Sequence, residues 1–125
     1  MRKTILSIGQ CSFDQNAIAS RIKLINSAYQ IISCDSISEA LSLLGQQKID
    51  LIMINRVFDK TGEEGTELLK LLKTAPETAQ MPCLLVSNFA DAQESARLLG
   101  ALPGFGKAQL HEKRTAELLT RYLSE

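Results

Sequence analysis

The sequence predicts an α/β protein in which a doubly wound, five-stranded parallel sheet carries helices on both faces. Three observations carry that prediction. Short apolar runs alternate with longer segments whose apolar residues recur at helical spacing, the pattern of successive strand-helix units. The run Ile49 to Ile54 is nearly unbroken in its apolarity, as a strand covered from both sides requires. Five strands each followed by a helix cannot pair antiparallel without long crossings, whereas right-handed strand-helix-strand units connect them directly. A length of 125 residues suits a single domain, 1–125, with a single core.

Each element has its own signal. Thr4 to Ile8 is apolar, β-branched and broken by Gly9, which suits a strand ending in a turn. Ser12 precedes Gln15 at capping-box spacing, and Ile18, Ile22 and Ile25 then share one helical face. Tyr29 to Cys34 reads as the second strand. Ser36 or Ser38 caps the next helix, whose Ile37, Ala40, Leu41 and Leu44 fall on one face before Gly45 stops it. Ile49 to Ile54 is the central strand. Thr66 to Lys73, with Leu68, Leu69, Leu71 and Leu72, is a helix ended by Pro76. Pro82 to Val86 is the fourth strand, its proline confined to the entry, where a missing N–H costs least. Ala90 to Leu99 is helical with Gly100 as its stop. Leu102 to Lys107, holding Pro103, Gly104 and Gly106, makes only a short fifth strand, and Leu110 to Leu123 is the last helix.

Composition narrows the function. Hydrophobic residues make up 45% and charged residues 22%, an ordinary globular balance that excludes disorder and a disulfide scaffold. Fourteen Lys plus Arg match fourteen Asp plus Glu, so there is no basic field of the kind that attracts nucleic acid or an anionic membrane. The longest apolar runs fall well short of the roughly 20 residues that span a bilayer. Ser7, Gly9 and Gln10 interrupt any apolar signal core after Met1-Arg2-Lys3, so a cytoplasmic protein is expected. Three cysteines, Cys11, Cys34 and Cys83, suit reduced thiols.

In sheets of this kind chemistry gathers at the carboxyl ends of the strands, which singles out Gly9 to Ser12, Cys34 to Ser36, Asn55 to Asp59, Ser87 to Phe89 and Phe105 to Lys107. At these positions, and along essentially the whole chain, the sequence resembles a response-regulator receiver domain. The resemblance rests on Asp50-Leu51-Ile52-Met53-Ile54-Asn55, on Gly65 to Lys73, on Ala75-Pro76 to Met81-Pro82, on Val86-Ser87, and on Gly100-Ala101 followed by Lys107. It implies a CheY-like, flavodoxin-like (βα)5 fold with strand order 2-1-3-4-5, and a place in two-component signal transduction or a phosphorelay. In such a domain two acidic residues and an acceptor aspartate hold Mg²⁺, and the aspartate is the nucleophile. A Ser or Thr and a Lys then bind the phosphoryl group, and an aromatic moves with them to alter the surface.

Against that pattern the chain keeps the responders and lacks the chemistry. The acidic pair falls on Gly9 and Gln10, and the acceptor falls on Asn55, an amide with no nucleophilic carboxylate. Ser87 and Lys107 are in place, with Phe105 as the aromatic, one residue later than usual. Ala108 stands where the family has proline, the loop from Asn55 to Gly65 is long, and Phe58-Asp59 replaces the common Met-Pro. The resemblance is therefore to an atypical receiver: not an enzyme, with no catalytic residue, cofactor or metal. It implies protein interaction through the fourth helix, fifth strand and fifth helix, around Ala90 to Leu99, Phe105 and His111 to Tyr122.

Asn55 reads either as a fixed stand-in bonded to Lys107 or Ser87, or as a drifted site needing only a small polar group. Lys107 is expected to bond Asn55. Asp14, expected to serve the first helical turn, and Asp59, expected in a turn, are the alternatives for a displaced phosphoacceptor. Cys11 and Cys34, ending neighbouring strands, are the alternative of a redox pair if their Cα atoms lie within about 7 Å. His111, the only histidine, has no companion ligand nearby.

Overall fold

The computed structural model describes residues 2–124. Its elements alternate strictly: β1 (Thr4–Ile8), α1 (Ser12–Ile25), β2 (Gln30–Cys34), α2 (Ile37–Gln46), β3 (Leu51–Asn55), α3 (Gly65–Thr74), β4 (Cys83–Val86), α4 (Ala90–Leu98), β5 (Leu102–Phe105) and α5 (Lys113–Tyr122). All strand pairs are parallel in the order β2-β1-β3-β4-β5, the flavodoxin-like arrangement the alternation predicts.

Side-chain alternation along the strands builds two cores. Leu51 and Met53 of β3 pack with Ile5, Ile18, Ile22 and Leu119 beneath α1 and α5. Ile52 and Ile54 point the other way, onto Leu68, Leu69, Leu72 and Ala40 beneath α2 and α3. Every residue of β3 is buried, which is why its sequence is apolar at consecutive positions.

Several boundaries differ from the sequence reading, each for a local reason. The cap of α1 is Cys11, not Ser12: the amide of Asp14 donates to Cys11 Sγ at 3.4 Å, and that of Gln15 donates to the Cys11 carbonyl. Gln15 closes no capping box because its side chain accepts from Ser7 Oγ at 2.7 Å instead. Ser36 is the cap of α2, reciprocally bonded to Glu39, and the helix runs through Gly45 to Gln46, leaving Leu41 exposed. The last helix begins at Lys113; a 3-10 turn over Lys107–Gln109 comes first and lets Leu110 stay buried while the chain changes direction. Among the described residues no helix is long and apolar enough to cross a membrane.

The loop between β3 and α3 folds back on itself. Val57 pairs with Glu64 as an isolated antiparallel bridge, and the Phe58 amide donates to the Glu63 carbonyl. This drives Phe58 inward until 1% of it is exposed, a burial that stabilises by roughly 1.5–3 kcal/mol.

Candidate functional site at the carboxyl edge

A cleft of about 360 Å³ opens at the carboxyl ends of β1, β3 and β4, lined in part by Cys11, Asp14, Asn55, Asp59, Ser87 and Lys107. Asn55, the last residue of β3, is buried at its floor. Its Nδ2 donates to the carbonyls of Gly9 and Val57, both at 2.9 Å, and its Oδ1 accepts the Arg56 amide at 3.0 Å. Two carbonyl acceptors need a donor between them, so the amide is the matching group and a carboxylate is not. Asn55 thus ties the end of β1 to the start of the next loop.

Gly9 and Phe58 are coupled. Gly9 has φ +81, a conformation that favours glycine, and a Cβ built on it would run into the Phe58 ring. The ring occupies the space into which a side chain at residue 9 would project. Gln10 is buried, and neither its Nε2 nor its Oε1 has a partner among the described residues. The divalent cation implied by the receiver resemblance therefore finds no fitting ligand set: residue 9 offers no side-chain ligand and its carbonyl already accepts two N–H groups, its side-chain space is filled by an aromatic ring, and the Asn55 nitrogen is committed to carbonyls. Among the described residues no group of three or more His, Cys, Asp or Glu is placed to hold a metal.

Lys107 does not bond Asn55. Its Nζ lies 2.8 Å from Asp14 Oδ2, which joins the start of α1 to the end of β5. That hydrogen bond holds the Asp14 carboxyl below the usual carboxylate range. Ser87 Oγ accepts the Phe89 amide at 3.1 Å, and so is turned to the start of α4 and not to Asn55. Asp59 is exposed, its amide donating to the Gly9 carbonyl.

Phe105 is 2% exposed and packs with Ile18, Leu110 and Leu119, on the α1 and α5 side of the sheet. The cause is a register shift: Leu84 pairs with Leu102 but Val86 with Phe105, so two steps on β4 face three on β5. Such a bulge reverses which face a side chain meets. Gln93 of α4 fills the opposite side, its Nε2 donating to the carbonyls of Leu85, Ser87 and Phe105 at 2.9, 3.0 and 3.4 Å.

The two thiols of the proposed redox pair have different surroundings. Cys34 belongs to the core beneath α2 and α3, whereas Cys11 heads α1 and lines the cleft. Burial pushes the Cys34 thiol up to about 11, which keeps it protonated and unreactive. Sequence reasoning also missed a feature of the rim: the Arg56 guanidinium stacks 4.9 Å from the centroid of the Phe89 ring. Neither residue carries a spacing signal, because the pair forms across two loops.

The geometry defines a doubly wound sheet with its cleft at the carboxyl edge, and comparison with solved structures makes the class more specific. Neither a protein-family model nor a curated protein sequence matches the chain. The signal receiver domain of the DNA-binding response regulator merR from Colwellia psychrerythraea 34H superposes with a TM-score of 0.82 at 19% identity, covering 98% of this chain and 99% of that one. NtrX from Brucella abortus gives 0.82 at 17% identity, covering 98% of this chain but 28% of the longer protein. The phosphorylated cyanobacterial phytochrome response regulator RcpA gives 0.77 at 17% identity, covering 98% and 94%. The chain has the receiver-domain, CheY-like fold.

Proposed function

We propose that this chain is an atypical receiver: a non-enzymatic signalling module that works by protein-protein interaction and accepts no phosphate. The observation that carries this reading is the bonding of Asn55, whose amide nitrogen is spent on two backbone carbonyls at the position where the family has its nucleophile. The Phe58 ring under Gly9 and the Lys107 to Asp14 pair support it further, since both occupy groups that phosphoryl transfer would need free.

The surface formed by α4, β5 and α5 is assigned to the signalling partner. A cleft of about 500 Å³ lies there, lined by residues that include Gln93, Arg97, Pro103, Glu112 and Leu118. Gln93 and the bond from the Tyr122 hydroxyl to the Pro103 carbonyl hold its walls together, so the surface is formed in advance and awaits no covalent trigger. No cofactor, nucleic acid or membrane is part of this reading.

A second reading has one observation in its favour. Asp14 lines the same cleft as Ser87 and touches Lys107, the placement a displaced phosphoacceptor needs; Asp59, also in the cleft, is the other candidate. Incubation with a small phosphodonor and Mg²⁺, followed by intact mass, tests both. The atypical reading predicts no gain of a phosphoryl group. A hydroxylamine-sensitive gain overturns it, and loss of that gain in Asp14→Asn or Asp59→Asn identifies the acceptor.

A further inference from the structure

The formal charge of the chain sums to zero, yet two of its grooves carry local charge of opposite sign. Between α2 and α3 lies a groove whose lining includes Ile37, Leu71, Glu63, Glu64, Glu67 and Lys70, three carboxylates against one ammonium. Glu64, Glu67 and Leu71 follow helical spacing, so the acids border an exposed leucine. Leu41, one turn beyond Ile37 on α2, is also exposed.

Between α1 and α5 lies a second groove of the opposite sign. Its lining includes Arg21, Lys113, Arg121, Glu117, Ile25 and Ala116, three cations against one carboxylate. Ile25 and Ala116 supply its apolar part. Each groove is an apolar strip with charged rims, and their rims are complementary.

The two grooves sit on opposite faces of the sheet, because α1 and α5 cover one core and α2 and α3 the other. A single molecule cannot bring them together. We infer that they dock between copies: the acidic groove of α2 and α3 on one molecule receives the basic groove of α1 and α5 of the next. Zero net charge leaves no overall repulsion to oppose this approach. A contact between two different patches is heterologous, so each docked copy presents a free groove and the association continues. Rim charges that stay wet contribute little per pair, so the contact is weak and strongly salt-dependent. It requires neither phosphate nor the carboxyl-edge cleft, and stands apart from the proposed function.

Charge-swap variants test it by sedimentation. The wild-type weight-average mass is expected to climb with concentration at low salt and to return to that of one chain in 1 M salt, where the screening length is about 3 Å. Glu64→Lys/Glu67→Lys and Lys113→Glu/Arg121→Glu are each expected to stay monomeric, with unchanged far-ultraviolet circular dichroism showing that both fold. Mixing the two variants is expected to restore association, since each then meets a groove of opposite sign. A monomer under all conditions, a mass that saturates at a closed dimer, or association indifferent to the swaps would overturn the inference.

Discussion

Replacing Asn55 by Asp introduces the residue type that accepts phosphate in receiver domains, and here it should weaken the protein without activating it. In the native chain the Asn55 nitrogen makes two bonds of 2.9 Å, to the carbonyls of Gly9 and Val57. Each such bond contributes about 0.5–1.5 kcal/mol net, and losing one side of a buried pair costs more than the mean. The Gly9 carbonyl keeps the Asp59 amide as a donor, and a carboxylate at residue 55 keeps the Arg56 amide, so the damage stops there. The expected loss is about 2–4 kcal/mol, a large share of the 5–15 kcal/mol typical of a domain. In urea this lowers the midpoint by about 1–2 M at unchanged slope. Acidification should narrow the deficit, because a protonated carboxyl can donate to one of the two carbonyls, which raises its folded-state pKa above the usual value of about 3.9. A variant as stable as wild type at neutral pH would refute the assignment of Asn55 as a structural tie between β1 and the following loop.

Three other outcomes follow from the same geometry. Gly9→Asp forces a side chain into a positive-φ position and into the Phe58 ring, so its loss should exceed about 3 kcal/mol; adding Phe58→Ala should relieve the collision, seen as a double-mutant coupling, and strict additivity would count against it. Asp14→Asn should cost about 0.5–1 kcal/mol at neutral pH, because the pair with Lys107 is partly exposed. Since the folded-state value of Asp14 is depressed, that contribution is present above the unfolded value of about 3.9 and is lost as pH falls through the folded one, so thermal melts of the two proteins should converge below about pH 4. Of the three thiols, Cys11 should react first with a maleimide in the native protein, while Cys34 and Cys83, both pushed up to about 11 by burial, should react only on unfolding; equal rates, or an oxidant-induced Cys11 to Cys34 bridge, would contradict the thiol placement.

How much of this is readable in the sequence depends on the range of the interaction. β3 is legible because burial on both faces leaves consecutive apolar residues, and Ser36 with Glu39 is legible because a cap is local. The identity of the cap of α1 is not, since Ser7 diverts Gln15 from the neighbouring strand. Gly9, Asn55 and Phe58 each stand out singly, but their coupling requires the loop after β3 to fold back under β1. The partner of Lys107 depends on how α1 leaves β1 through the turn at Gly9, which no spacing encodes. Phe105 turns inward because of one extra residue on β5 opposite β4, and a bulge beside Pro103 and Gly104 leaves no periodic trace.

The proposed function requires a carboxyl-edge cleft that holds neither a divalent cation nor a phosphoryl group. Amide nuclear magnetic resonance during titration with Mg²⁺, alone and then with beryllofluoride as a phosphoryl mimic, tests it most directly. The resonances of Gly9, Asn55, Ser87 and Lys107 are expected to stay in place across the titration. Saturable shifts confined to those residues would contradict it.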